Sequence, residues 1–442
     1  MLELNGRYDG SSRFPKDTRF GFFPSVSAGW RISEEAFMKD LSWVSNLKLR
    51  ASYGTLGNQT LRNNGIEEYY PYLATYGAGR APYQFGSGMV PFISAPGLVS
   101  PGLTWETVIS KNLGIDISLW NNKLDASFDV YTRDTQNMLM NVLYPDLLGT
   151  NAPKENAADL RTQGWEASLT YKNSNGKDLS YDITLALADA TAEITKFQNP
   201  TGAINNTYRV GQKLGEIWGF ETVGIFQTAG EVTAAANQSR LGNNWRAGDI
   251  QYADLNGDKI ISYGANTIEN PGDRKIIGNS TPRYSFGINS SVRWKNFNAN
   301  IFLQGIGSQD FWPSDGNWTW FFPFNAGHVE RYYITDTWTE ENRDAYFPAA
   351  HISTNDGKNK ILQSRFLQNA GYMRLKNIRL GYDLPAAVSK KIAMNNVQFF
   401  VVGANLWEFT TLRKPLDPEA IQSGAIEYPM QRIFTFGINL SL

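Results

Sequence analysis

The chain predicts an all-β fold: an antiparallel transmembrane β-barrel of about twelve strands with long extracellular loops. Three observations predict it. Stretches of about ten residues alternate strictly between apolar and polar side chains, as strands do when one face meets lipid and the other water. Tight turns alternate along the chain with long connections rich in glycine and aromatics, which gathers every long connection at one end of the sheet. Aromatics make up 13% of the sequence, as 13 Trp, 21 Tyr and 25 Phe, a supply that suits girdles at two membrane interfaces.

Composition narrows the class. The 442 residues carry a net charge of −1, so nothing points to nucleic acid or to an anionic membrane surface. Mean hydropathy is −0.37, and no apolar run reaches the roughly 18 residues of a spanning helix. A helical membrane protein is excluded; a barrel is not, because only every second strand residue faces lipid. Cysteine is absent, which removes disulfide frameworks and thiolate metal sites. The opening MLELNGRYDGSS has neither the basic nor the apolar region of a signal peptide and reads as strand. The expectation is that residues 1–442 are the C-terminal part of a longer barrel protein, with signal peptide and preceding domains outside them.

The strands follow in order. Weaker ones lie at about 2–9, 19–31 and 46–56. In 108–120, Ile109, Leu113, Ile115, Ile117 and Leu119 share one face, and Ser110, Asn112, Gly114, Asp116 and Ser118 the other. After Asn121-Asn122, a hairpin signal, Leu124, Ala126, Phe128 and Val130 oppose Lys123, Asp125, Asp129 and Arg133. A second hairpin sets Trp165, Ala167, Leu169 and Tyr171 before a turn at 173–176, and Tyr181, Ile183, Leu185 and Leu187 after it. A third joins Tyr284, Phe286, Ile288, Val292 and Trp294 through Lys295-Asn296 to Phe297, Ala299, Ile301 and Leu303. Two more strands lie at 371–383, with a bulge near Lys376-Asn377, and at 395–406, apolar on both faces and therefore covered on the lumen side. The last strand alternates Phe434, Phe436, Ile438, Leu440 and Leu442 with Thr435, Gly437, Asn439 and Ser441.

Short turns fall near 32–45, 121–122, 173–176, 295–296 and 384–395, and long loops at 57–104, 140–162, 190–281, 307–370 and 407–430. In the first turn SEEAFMKDL reads as a helical turn with Ser33 as N-cap. A soluble all-β protein with large insertions would bury its apolar face and would not sort its turns by side. The uniformly large apolar set opposite Asp, Glu, Arg and Lys fits a wide barrel with a wet lumen.

Several stretches resemble the SusC/RagA family of TonB-dependent outer-membrane transporters: RYDGSSRF (7–14), FFPSVSAGWRISEEAFM (22–38), LKLRASYGTLGNQ (47–59), GFETVGIFQTAGE (219–231), GDIQYADLNGDKIIS (248–262), IGNSTPRYSFGIN (277–289), RLKNIRLGYDLP (374–385) and YPMQRIFTFGINLSL (428–442). They span nearly the whole chain in order. The resemblance implies a cell outer membrane location and a barrel of about 22 strands around a plug, of which this chain is the last half. It implies energy from the TonB complex through an N-terminal region, a SusD-like surface lipoprotein as lid, and an oligosaccharide or peptide as substrate. One departure is Leu442, where such barrels usually end in an aromatic.

Asp254, Asn256 and Asp258 place oxygens at positions one, three and five of a calcium-type loop, and Asp273 follows at a distance. Lys259 stands where an EF-hand needs Gly, and Ala265 where it needs Glu. The choice lies between a Ca2+ site in an extracellular loop and an Asx-turn network. The loop 307–325 carries Phe311, Trp312, Trp318, Trp320, Phe321, Phe322 and Phe324. These rings stack on a substrate, contact the lid or form the loop's own small core. Tyr69, Tyr70, Tyr72, Tyr76, Tyr83 and Phe85 form a second such group. His328 and His351 are lone loop histidines, and Asp125 and Asp129 read as wetted wall charges, not a glycosidase pair. The chain is therefore expected to be no enzyme but part of an outer-membrane active importer of glycans or other oligomeric nutrients. The alternatives are a complete small porin-like barrel or outer-membrane adhesin, and a soluble carbohydrate-binding β-protein.

Overall fold

The computed structural model describes residues 1–63, 65–86, 88–141, 153–176, 178–199, 201–205, 207–313, 331–350, 356–414, 416–421 and 430–441. Twelve long strands form one sheet: β1 (Leu2–Gly10), β2 (Phe20–Arg31), β3 (Val44–Asn58), β4 (Glu106–Leu119), β5 (Leu124–Asn141), β6 (Lys154–Asn175), β7 (Leu179–Lys196), β8 (Arg283–Trp294), β9 (Phe297–Ser308), β10 (Tyr372–Asp383), β11 (Asn396–Thr410) and β12 (Ile433–Ser441). Each pairs antiparallel with its neighbours in sequence, so the sheet is an up-and-down meander. Every long connection follows an odd-numbered strand and so lies at the same end. Among the described residues no helix is long and apolar enough to cross a membrane.

Register fixes what each face carries, because neighbouring residues alternate sides. One face holds large apolar side chains left open: Leu4 is 70% exposed, Leu113 57%, Leu185 42% and Phe436 76%. The opposite face is ionic. Arg50 on β3 reaches across Gly114 and bonds both oxygens of Asp116 (2.8 and 2.9 Å) and both of Asp129 (2.8 and 3.0 Å). A Cβ at Gly114 would sit 2.4 Å from the Asp129 carboxylate, so the bridge needs glycine there. Lys172 holds Asp125 at 2.8 Å. Asp125 and Asp129 are thus ion-paired wall residues. An exposed apolar face behind an ion-paired one is the polarity of a membrane barrel, not of a soluble sandwich.

Three details differ from the sequence reading. Part of the connection expected at 140–162 is strand, since β5 runs to Asn141 and β6 starts at Lys154. Register shifts between Asn156 and Ala158 and between Ala158 and Leu160 break the period of two there and hide the strand. The following turn lies beyond Asn175, which still pairs with Leu179, and β7 extends to Lys196. The first short turn is two 3-10 turns, Ile32–Glu34 and Ala36–Met38, and Ser33 lies inside the first without capping it. The bulge at Lys376 is present, with shifts against both neighbouring strands. The inner face of β11 is covered in part by its own neighbours: Phe400 lies against Gly437, and the Arg379 guanidinium sits 4.8 Å from its ring.

The connections β7–β8 and β9–β10 build a second structure beyond the wall. Here the apolar side chains turn inward: Phe220, Ile250, Ile261, Phe347 and Phe366 are wholly buried in one cluster with Tyr252, Tyr333 and Trp338. This dome also buries an ion pair, Lys358 to Asp249 at 2.7 Å. Lys358 Nζ further donates to the Asn244 carbonyl (2.8 Å), and Asp249 accepts from Asn359 Nδ2 (2.9 Å). Both charges of this buried pair thus have further partners, as burial demands. A smaller cluster of Phe14, Phe23, Leu61, Leu103 and Trp105 ties the β1–β2 and β3–β4 connections together.

Candidate functional site

A cleft of 830 Å3 opens in the dome between its two connections. The ribbon Glu216–Phe220, paired antiparallel with Arg274–Asn279, supplies one side. Strand alternation puts Glu216 and Trp218 on the same face of that ribbon. Arg209 forms an ion pair with Glu216 and places its guanidinium 5.3 Å from the centre of the Trp218 ring. Trp218 Nε1 donates to Glu216 at 3.4 Å. The charges cancel, and the indole they hold lines the cleft.

Tyr263 and Arg274 form the floor. The Arg274 guanidinium lies 5.0 Å from the Tyr263 ring and donates to the Tyr263 carbonyl (3.1 Å) and to Asn266 Oδ1 (2.8 Å). Burial raises the Tyr263 phenol above its ordinary pKa and lowers the Arg274 guanidinium below its own. Phe220 packs edge-on against Tyr263 at 5.1 Å. Trp312 closes the far side, just after a two-residue ribbon in which Asp310–Phe311 pairs with Gln368–Asn369. Asp310 accepts from the Asn279 amide at 2.8 Å and so locks that side to the first ribbon. Two donors at this end have no partner: Thr207 Oγ1, on the lining, and Arg209 Nη1, both shielded from solvent. Such atoms stay costly until a ligand or water meets them.

The cleft offers flat aromatic faces with hydrogen-bonding groups between them, a design for holding a ring-bearing or extended polar molecule. Among the described residues that line it there is no His, Cys or Lys. Among the described residues no group of three His, Cys, Asp or Glu side chains is placed to hold a metal ion.

Of the residues singled out in the sequence, Phe311 and Trp312 both line the cleft, and Phe311 also belongs to a buried cluster with Ala370, Leu412, Leu416 and Ile421. Trp318, Trp320, Phe321, Phe322 and Phe324 lie outside the described residues, as do His328 and His351. Tyr72 is half-buried and Tyr76 73% exposed in the β3–β4 connection; neither lines the cleft. Beside Tyr76 stands a ribbon of Gly77–Phe85 on Gly88–Ser94 with Tyr83, Val90, Phe92 and Ile93 exposed. The residues of the calcium-type loop do converge, through backbone amides. Asp254 accepts from Gly257 (2.7 Å) and Lys259 (2.9 Å), Asp258 from Ile260 (2.7 Å), and Asn256 from Asp258 (2.9 Å). Asp273, fully buried, accepts from Leu255 (2.9 Å) and Ser262 (2.8 Å). These bonds are those of an Asx-turn network.

Trp218, Tyr208, Tyr263 and Arg274 escaped the sequence reading. Their aromatics are isolated along 197–282, unlike the dense run after 310; the available signal was that Trp218 and Tyr208 each stand within two residues of a charged side chain.

Residues 1–406 match the family model described as TonB dependent receptor-like, beta-barrel. TonB-dependent receptor SusC of Bacteroides thetaiotaomicron is 30% identical over all of this chain and 42% of its own length. TonB-dependent receptor P3 of Formosa agariphila is 28% identical over all of this chain and 44% of its own. The chain thus spans less than half the length of these relatives. The fold matches a chain of the RagAB peptide transporter with a TM-score of 0.76 at 24% identity, covering 99% of this chain and 45% of that one. With its twelve-stranded wall, sorted loops and this match over most of its length, the chain belongs to the TonB-dependent receptor β-barrel family.

Proposed function

We propose that this chain forms wall and extracellular face of a TonB-dependent active importer in the outer membrane, one that takes up oligosaccharides or peptides. The reading is carried by the inverted polarity of the two regions: a wall that leaves its apolar face open to hydrocarbon, and at one end only, a dome that folds as proteins fold in water. The cleft with Trp218, Tyr263 and Trp312 is the candidate substrate contact. The exposed ribbon beside Tyr76 carries a single charge, Arg80, between Glu68 and Glu106, and suits docking of a SusD-like surface lipoprotein. β1 and β12 each pair on one side only; further wall strands would satisfy those edges. Energy would come through the TonB complex.

The test is growth on a panel of oligosaccharides and peptides as sole nutrient. Deleting the gene should abolish growth on one class, and disabling the TonB complex should abolish the same growth. Uptake that survives loss of the TonB complex would sink the active importer and favour a passive pore.

A further inference from the structure

On the outer face of β4–β7, residues in register form rows across four strands. Lys111, Thr132, Gln163 and Thr191 make one row. One step toward the turn end lie Leu113, Val130 and Trp165, with Asp189 completing the row, and the two rows after that are apolar. The polar row lines a hollow of 490 Å3 at the loop end of the apolar band. Directly below it, on the same strands, a second hollow of 270 Å3 opens where Ala126 and Ala167 sit among Phe128, Leu169, Leu185 and Leu187.

The upper hollow is built for an anion. Among the described residues none of the four side chains in its row is paired with another protein group. Its one carboxylate, Asp189, is neutralised by Arg283, whose Nε and Nη2 each lie 2.5 Å from a carboxylate oxygen. Of the charges in the next row outward, Asp134 is paired with Arg161 at 2.6 Å, and Glu193 stands beside that pair. Among the described residues that line the hollow, Lys111 is therefore the cation without a carboxylate partner. A Lys ammonium is a natural phosphate partner, and at the rim of hydrocarbon its field is weakly screened. The lower hollow is lined mainly by apolar side chains, as an acyl chain requires.

We propose that β4–β7 bind a phosphate-bearing lipid of the outer leaflet, its phosphate on Lys111 with Thr132 and Gln163, and a chain in the lower hollow. The proposal rests on the membrane reading of the wall. It explains why polar and apolar hollows lie in line on the same strands, which a free anion would not need.

The experiment titrates the detergent-purified protein with phosphatidic acid, with phosphatidylcholine of the same chains and with inorganic phosphate, reading bound lipid by native mass spectrometry. Phosphatidic acid should bind one to one, and Lys111→Glu should weaken it by roughly tenfold, the loss of one charged contact. Lys111→Gln, milder for folding, should weaken it in the same direction. Ala167→Trp, which fills the lower hollow, should weaken phosphatidic acid as well. Equal binding of phosphatidylcholine, an unchanged affinity in Lys111→Gln, or full competition by inorganic phosphate would overturn the lipid site. A protein monomeric without detergent would instead overturn the membrane reading.

Discussion

Leu185 on the wall and Leu255 in the dome are about equally open, 42% and 44% exposed, yet they sit in opposite settings. Around Leu185 the whole face is apolar and open; around Leu255 the backbone is held by Asp273 and the neighbouring side chains are Asp254 and Asn256. Equal exposure means contact with lipid in one case and with water in the other. The lesson is that burial alone does not describe a residue here; the solvent on the other side must be read from the pattern around it. Phe347, wholly buried in the dome, shows the other half of that contrast beside Phe436, a wall ring left 76% exposed.

The contrast is broken most severely at the buried charge of the dome. Asp249→Ala leaves Lys358 without its carboxylate in a site where Lys358 is 6% exposed. The expected cost is about 3–5 kcal/mol. Hydrogen exchange should report the loss at the Ile250 amide, which bonds Asn359 next to the pair, while the wall strands keep their protection. Equal loosening of wall and dome would show that the two regions are one cooperative unit.

Next in size is a matched pair of substitutions. Leu185→Arg places a charge in the apolar band and should cost about 2–4 kcal/mol, read as a lower unfolding midpoint in lipid bilayers. Leu255→Arg, at the same exposure, should stay within about 0.5 kcal/mol. Similar effects at both positions would remove the claim that the wall faces hydrocarbon.

The wall was legible in the sequence because its signal is local. Period-two alternation in β4, β5, β8 and β9 names both faces without any knowledge of partners. It failed where bulges slipped the period, as at Ala158. The dome was not legible. Its ribbon strands are two to six residues long, and its cleft joins Trp218 and Trp312, nearly a hundred positions apart in sequence. Those residues meet through long-range bonds such as Asn279 to Asp310 and Thr222 to Gln363. Nothing at either position announces the other.

A smaller effect separates paired wall charges from paired dome charges. Asp129→Asn keeps Arg50 bonded to Asp116 on a wet face, where both partners are partly open. The cost should be about 1 kcal/mol, well below that at Asp249, and should shrink in high salt. A cost as large as in the dome would mean that the inner face is dry.

The β3–β4 connection offers a test with pH. The hydrogen bond from Arg13 holds the Glu67 carboxyl below its ordinary pKa. A depressed folded-state value means that the pair adds stability above the unfolded pKa of about 4.3, and that this is lost as pH falls through the folded value. Protease sensitivity of segment 61–69 should therefore rise only on acidification below that range, and Glu67→Gln should flatten the response.

The smallest expected effect concerns the loop 254–273. On the Asx-turn reading, the backbone amides its carboxylates accept hold this loop without a cation. Chelation with excess EDTA should leave proteolysis of this loop and the unfolding midpoint of the dome unchanged. Asp273→Asn should loosen it even in millimolar calcium, because the anionic acceptor for the Leu255 and Ser262 amides is weakened. A midpoint that drops on chelation and recovers with calcium would reassign Asp254, Asn256 and Asp258 from turn formers to ligands, since only a bound ion makes loop stability depend on free calcium.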